Sequence, residues 1–204
     1  LYAAAVSTVL AQTTPTQPNQ RPLQSITSGT ARASLLELFT SEGCSSCPPA
    51  ETWFSALATS ERLWKDVVPV AFHVDYWDYL GWVDVFAQPS FSERQRDYAA
   101  AWKSDRVYTP GFVLNGREWS GWRERKPLPA STTDAGILAL DIVPGSSRVR
   151  FAPAQPTKTA PAAHVAVLGM DVSRSIKAGE NEGETLRHDF VVLDYQRVVL
   201  REDG

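Results

Sequence analysis

The chain has 204 residues, 43% hydrophobic and 21% charged, with 20 basic against 23 acidic side chains and a formal net charge of -3. That composition supplies one large core, or a domain with a smaller companion, and excludes a disordered chain. No basic cluster interleaves with aromatic residues, which excludes a nucleic-acid surface, and no run approaches the roughly 20 apolar residues that span a bilayer.

The opening, LYAAAVSTVLAQTTPTQPNQRP, passes abruptly from small and apolar residues to Thr, Gln and Pro. It reads as the tail of a secretory signal peptide, with Val9 and Ala11 as the small residues before a cleavage point. A periplasmic or secreted location follows, where disulfides form and are handled by enzymes. Residues 12–30 carry Pro15, Pro18 and Pro22 and show neither helical nor strand period, so residues 1–32 read as signal remnant and linker.

From Ala33 the texture changes. SLLELF is a nearly continuous apolar run of strand length that ends in polar residues and Gly43 just before Cys44. After Pro49, residues Ala50, Trp53, Phe54, Leu57 and Ala58 recur at the spacing of one helix face. VVPVAFHVD, residues 67–75, is apolar on both alternating faces and predicts a buried parallel strand, reached by a right-handed crossover. Ser90 and Glu93 have the spacing of a capping box, before a stripe of Phe91, Tyr98 and Trp102. In YTPGFVLNGREWSGW, Asn115 and Gly116 supply the positive backbone angles of a tight hairpin. Beyond Lys126, short strands around a Pro-Gly-Ser-Ser turn, then AHVAVLGMDV and FVVLDYQRVVL, predict an antiparallel β-rich extension over 127–204 beside a domain at 33–126.

Both cysteines fall in TSEGCSSCPPAE. A cysteine between a strand and a following helix lies at the positive end of the helix dipole, among amides without partners, and both effects favour the reactive thiolate. A second cysteine three positions on can close a disulfide or attack a mixed one. This assigns Cys44 as the attacking thiol and Cys47 as the resolving one. Pro48 and Pro49 suit a first helical turn, with Cys47 as its cap. An inert staple is a weaker reading, since so short a loop constrains the unfolded chain little. Zinc would need two of His73, His164 and His188, whose spacing matches no zinc motif; copper held by both thiolates and a distant His is the metal alternative. The motif implies no organic cofactor.

The order strand, C-x-x-C, helix, strand, then Thr109-Pro110 leading into GFVLNGRE resembles the thioredoxin fold. The blocks LLELFTSEGCSSCPPAE, HVDYWDYLGW, SERQRDYA, VYTPGFVLNG and GENEGETLRHDFVV resemble the secreted thioredoxin-like proteins grouped as domain-of-unknown-function family 1223. The resemblance implies an α/β, thioredoxin-like domain with a C-terminal β-rich extension in an exported protein; the placing of the cysteines adds the expectation of a thiol-disulfide oxidoreductase exchanging disulfides with protein thiols through Cys44. A non-catalytic binding module or copper chaperone is the alternative. It also implies a cis-proline at Pro110, with the Thr109 backbone pairing a bound chain as an added strand.

Thioredoxin carries a buried acid six residues before its first cysteine; Leu38 stands there, and Glu37 points to the opposite face of the strand. Asp75, at the end of the second strand, is the candidate replacement. Trp77 and Trp82 are candidates for an apolar platform under a substrate peptide. His73 reads as a hydrogen-bonded core histidine, His188 and Asp189 as a structural contact, and Glu180, Asn181 and Glu182 as a solvated loop.

Overall fold

The computed structural model describes residues 22–200. The expected signal remnant, with Val9, Ala11, Pro15 and Pro18, lies outside the described residues. One part of the expected linker is ordered structure: β1 (Gln24–Thr27) pairs antiparallel with Ala139–Ile142, so a segment without a period of its own takes its conformation from a partner strand.

The alternation in SLLELF is used on both sides. In β2 (Ser34–Thr40), Leu36 and Leu38 enter one apolar cluster, while Leu35 and Phe39 enter another on the opposite face. Helix α1 (Pro48–Ser55) covers the first face with Ala50 and Phe54, and a single 3-10 turn at Ala56–Thr59 extends it. Strand β3 (Val67–His73) lies parallel to β2. Helix α2 (Pro89–Ala101) covers the second face with Phe91 and Tyr98. Its N-cap is Gln88, and Ser90 lies inside the first turn, so the expected capping box is not formed. Pro89 decides the start, because its fixed φ suits the first helical position and its missing N–H loses nothing there. Strand β4 (Gly111–Leu114) runs antiparallel to β2 and turns into β5 (Arg117–Glu118) through Asn115 and Gly116, whose φ values are 51° and 79°.

The chain beyond Lys126 does not stay apart. Strands β6 (Gly136–Val143) and β7 (Ser146–Pro153) join β1 in a three-stranded sheet. Of the rest, β8 (Ala162–Gly169) and β11 (Val191–Val199) enter the central sheet, whose order is β5-β4-β2-β3-β11-β8, whereas β9 (Val172–Ser175) and β10 (Thr185–His188) form a hairpin. The central sheet therefore crosses residue 126: six strands from both sides of it share one mixed sheet. The physical reason is the far edge of β3, which would otherwise leave backbone groups unpaired in the core. Pro69 has no N–H to offer, and the Ala71 amide instead donates to the Phe190 carbonyl, 2.8 Å away. Among the described residues no helix is long and apolar enough to cross a membrane.

The α2 face buries one charge. Glu37 is fully buried, and its carboxylate lies 2.6 Å from an Arg94 nitrogen on α2; Tyr98 donates to its other oxygen. Arg94 also donates to the Tyr195 hydroxyl on β11, 2.9 Å away, so one guanidinium ties β2, α2 and β11 together. Arg94→Met, which strands the carboxylate, should lower the unfolding free energy by about 3–5 kcal/mol, and adding Glu37→Leu should recover most of that loss. Urea unfolding curves measure both; a single-variant loss below about 1 kcal/mol would contradict this role.

Candidate functional site

The strand end of β2 and the start of α1 bring the two cysteines together. They are joined as a disulfide with 5.5 Å between Cα atoms, and Cys47 is the N-cap of α1, with helical angles although Pro48 follows it. The Cys47 amide donates to the Cys44 carbonyl at 3.1 Å, and the amides of Ala50 and Glu51 donate to the Cys47 carbonyl. This turn places both sulfurs at the positive end of α1.

The Thr109-Pro110 bond is cis. A chain of contacts joins it to the cysteines: Cys44 Sγ lies 3.3 Å from Ser46 Oγ, Ser46 donates to the Thr109 carbonyl at 3.4 Å, and Trp77 Nε1 donates to Thr109 Oγ1 at 2.7 Å. Cys44, Cys47, Thr109, Pro110 and Trp77 thus form one neighbourhood. Trp82 donates to Glu42 Oε2 at 2.7 Å beside the Arg174 guanidinium, while Trp77 lies against Gly43, the next residue along. Asp75 is held by Ser92 in the first turn of α2, whose hydroxyl both donates to its carboxylate and accepts from its amide. These bonds tie the end of β3 to α2 without capping the helix, whose N-cap is Gln88. The buried acid on the cysteines' own helix is Glu51, one turn beyond Cys47, a spacing of four that the sequence displays without marking it as buried.

Neither cysteine is open to solvent: Cys44 is 0% and Cys47 1% exposed. The polar loop between β9 and β10 attaches to the C-x-x-C turn: Glu180 and Glu182 are exposed, as a solvated loop implies, but Asn181 is not. Asn181 is buried and donates from Nδ2 to the carbonyls of Glu42, 2.8 Å, and Cys44, 3.1 Å. Glu180 accepts from the Ser45 amide at 3.1 Å and from the Ser45 hydroxyl at 2.7 Å, contacts that hold its carboxyl below the usual range. Exposed backbone needs partners once it is covered, and the C-x-x-C loop finds them about 135 residues away.

A buried polar cluster lies one helical turn beyond Cys47. Glu51 accepts from Thr40 and faces His188 Nδ1 at 2.6 Å, while His188 Nε2 lies 3.4 Å from Glu42 Oε1, near enough for charge attraction but off the line of a good hydrogen bond. His73 Nδ1 sits 2.7 Å from Asp84 Oδ2, which also accepts from the Glu42 amide. Burial alone would lower His188; its contacts with Glu42 and Glu51 more than offset this and push it up to about 10. Burial alone would raise Asp84, but His73 and the amides of Glu42 and Phe86 hold it below the carboxylate range. His73 is hydrogen-bonded in the core, as expected, yet it is not scattered from His188: the two rings are 5.0 Å apart. His164 is separate, bonded to Tyr195 on β11. Asp189 accepts from the Asp171 amide, the structural contact the sequence suggested.

Fold and site together define a mixed α/β protein with a covered C-x-x-C disulfide at a helix N-terminus. The family model described as "Protein of unknown function (DUF1223)" matches residues 35–203, and the chain belongs to that family. A crystal structure of an Agrobacterium tumefaciens protein is similar, with 27% identity, 82% of this chain and 74% of that chain covered, and a TM-score of 0.54. No curated protein matches the chain.

Asn181→Ala removes both hydrogen bonds from the loop to the C-x-x-C segment, weakening that attachment by about 1–3 kcal/mol. Reduction of the disulfide by dithiothreitol should accelerate roughly fivefold or more, followed by thiol release at pH 7. An unchanged rate would mean that the loop does not control access.

Proposed function

We propose that the protein is an exported thioredoxin-like thiol-disulfide oxidoreductase acting on protein thiols through Cys44 and Cys47. The observation that carries this reading is the contact chain from Cys44 Sγ through Ser46 to the Thr109 carbonyl, beside Pro110. It sets a backbone acceptor next to the sulfur, where an extended substrate chain could add as a strand. The strand order, with β2 between parallel β3 and antiparallel β4 and α1 crossing over one face, supports a thioredoxin-like assignment. Export rests on the sequence of residues 1–22 alone.

In the oxidised form, a substrate thiolate attacks Cys44 Sγ, the Cys44–Cys47 bond breaks, and Cys47 leaves as a thiolate favoured by the helix dipole. A second substrate thiolate then attacks the substrate sulfur of the mixed disulfide and releases Cys44 as a thiolate. Two electrons pass from the substrate dithiol to the cysteine pair, and the two protons lost by the substrate thiols go to solvent or to the new thiolates. The reverse sequence reduces a substrate disulfide. Because both cysteines are covered, either direction requires Trp77, Ser46 or the Glu180–Asn181 loop to move aside first. Serine at positions 45 and 46 adds no positive charge, so the dipole is the principal thiolate-favouring influence from this motif.

The reduced protein separates this reading from an inert staple. Cys44 should alkylate with iodoacetamide on the order of tenfold faster than Cys47 at pH 7, and reduced Cys47→Ser should accumulate mixed disulfides with unfolded disulfide-bonded proteins, its Cys44 thiolate displacing one substrate thiolate, whereas Cys44→Ser does not. Equal, slow labelling of both cysteines with no trapped species would rule out exchange through Cys44.

A further inference from the structure

We infer that Glu51, His73 and His188 form a buried site for a first-row divalent metal ion of the zinc class, one helical turn beyond the disulfide. Each of the three offers a ligand atom within 4.8 Å of the other two, and all three residues are buried. A tetrahedral zinc ion with bonds of about 2.0–2.1 Å holds its donors roughly 3.3 Å apart, so the widest separation closes by up to about 1.5 Å while the Glu51–His188 pair, at 2.6 Å, opens slightly.

The arrangement around the three side chains is that of an outer shell. His73 Nδ1 is held by Asp84 at 2.7 Å, which leaves Nε2 as a lone-pair donor; that nitrogen is buried, and it has no hydrogen-bond partner. Glu51 keeps one oxygen on the Thr40 hydroxyl and turns the other toward His188 Nδ1. The far side of the His188 ring faces Glu42 at 3.4 Å. Metal-bound imidazoles carry this kind of carboxylate on the other ring nitrogen, which fixes the ring and strengthens the donor.

Water cannot complete the unpartnered nitrogen, because the space walled by Leu38, Phe54 and Ala71 beside these residues is too small for a water molecule. Charge leads to the same place. Three buried carboxylates, Glu42, Glu51 and Asp84, are served by one guanidinium, Arg174, reaching in from the surface. The balance requires protons on the imidazoles or a divalent ion among them. Two imidazoles and one carboxylate suit zinc and its neighbours rather than calcium or magnesium. The site uses neither sulfur, so it stands apart from the redox reading and from a copper site built on the cysteines.

The test uses the full chain with its disulfide intact, stripped with EDTA, reloaded with Zn2+ and desalted. About one zinc per chain should remain, and Co2+ should give d–d absorption without a thiolate charge-transfer band. His73→Gln and His188→Gln should each weaken retention by about tenfold or more, whereas Cys44→Ser/Cys47→Ser should retain the ion. X-ray absorption on zinc-loaded wild type should count two imidazoles, which decides the matter even if a histidine variant fails to fold. No zinc on the wild type, undiminished zinc in both histidine variants, or fewer than two imidazoles would overturn the site.

Discussion

A carboxylate on α1 facing an imidazole on β10 is the contact on which the surroundings of the disulfide depend. Glu51 and His188 are 137 residues apart and both buried, with 2.6 Å between Oε2 and Nδ1. Removing either partner strands the other charge in the interior, so the C-terminal third is bound to the C-x-x-C helix by a penalty as well as by attraction. Glu42 extends the same constraint, meeting His188, Trp82 and Arg174 with its side chain and Asp84 with its amide. The strands beyond Lys126 complete both the central sheet and the polar floor under the reactive turn.

That floor has a counterpart at the rim. Asn181 and Glu180 reach the backbone of the C-x-x-C turn, and Trp77 and Thr109 close on it from the cis-proline side. The electrostatics there oppose one another. The end of α1 favours a thiolate, while the Glu180 carboxylate on Ser45 places negative charge beside the same turn. Under the proposed exchange role, a cysteine both covered and flanked by a carboxylate is kept from indiscriminate reaction, which suits a partner able to displace the loop.

What the sequence discloses follows from the range of the interactions. The alternation of Leu35 to Phe39, the apolar face from Ala50 to Ala58 and the Asn115-Gly116 turn are set by neighbours a few residues away, and each was legible. Most of the hidden features need partners more than 60 residues distant. β11 joins β3 because an edge needs closing, not because Val191 announces it. Asn181 and Glu180 look solvated because amides and carboxylates in a Gly-containing loop usually are. Asp75 drew notice as an acid at a strand end, yet Ser92 claims it, while Glu51 went unnoticed in an amphipathic helix where acids normally face water. His73 and His188 have no shared spacing, and only the sheet brings their rings together.

The central claim is that this disulfide is built to be exchanged, and its equilibrium with a glutathione or dithiothreitol redox buffer tests that most directly. A reduction potential between about -120 and -270 mV, the range of exchange enzymes, is the predicted result. A value below about -300 mV, where structural disulfides lie, would contradict it and leave Cys44–Cys47 a buried staple.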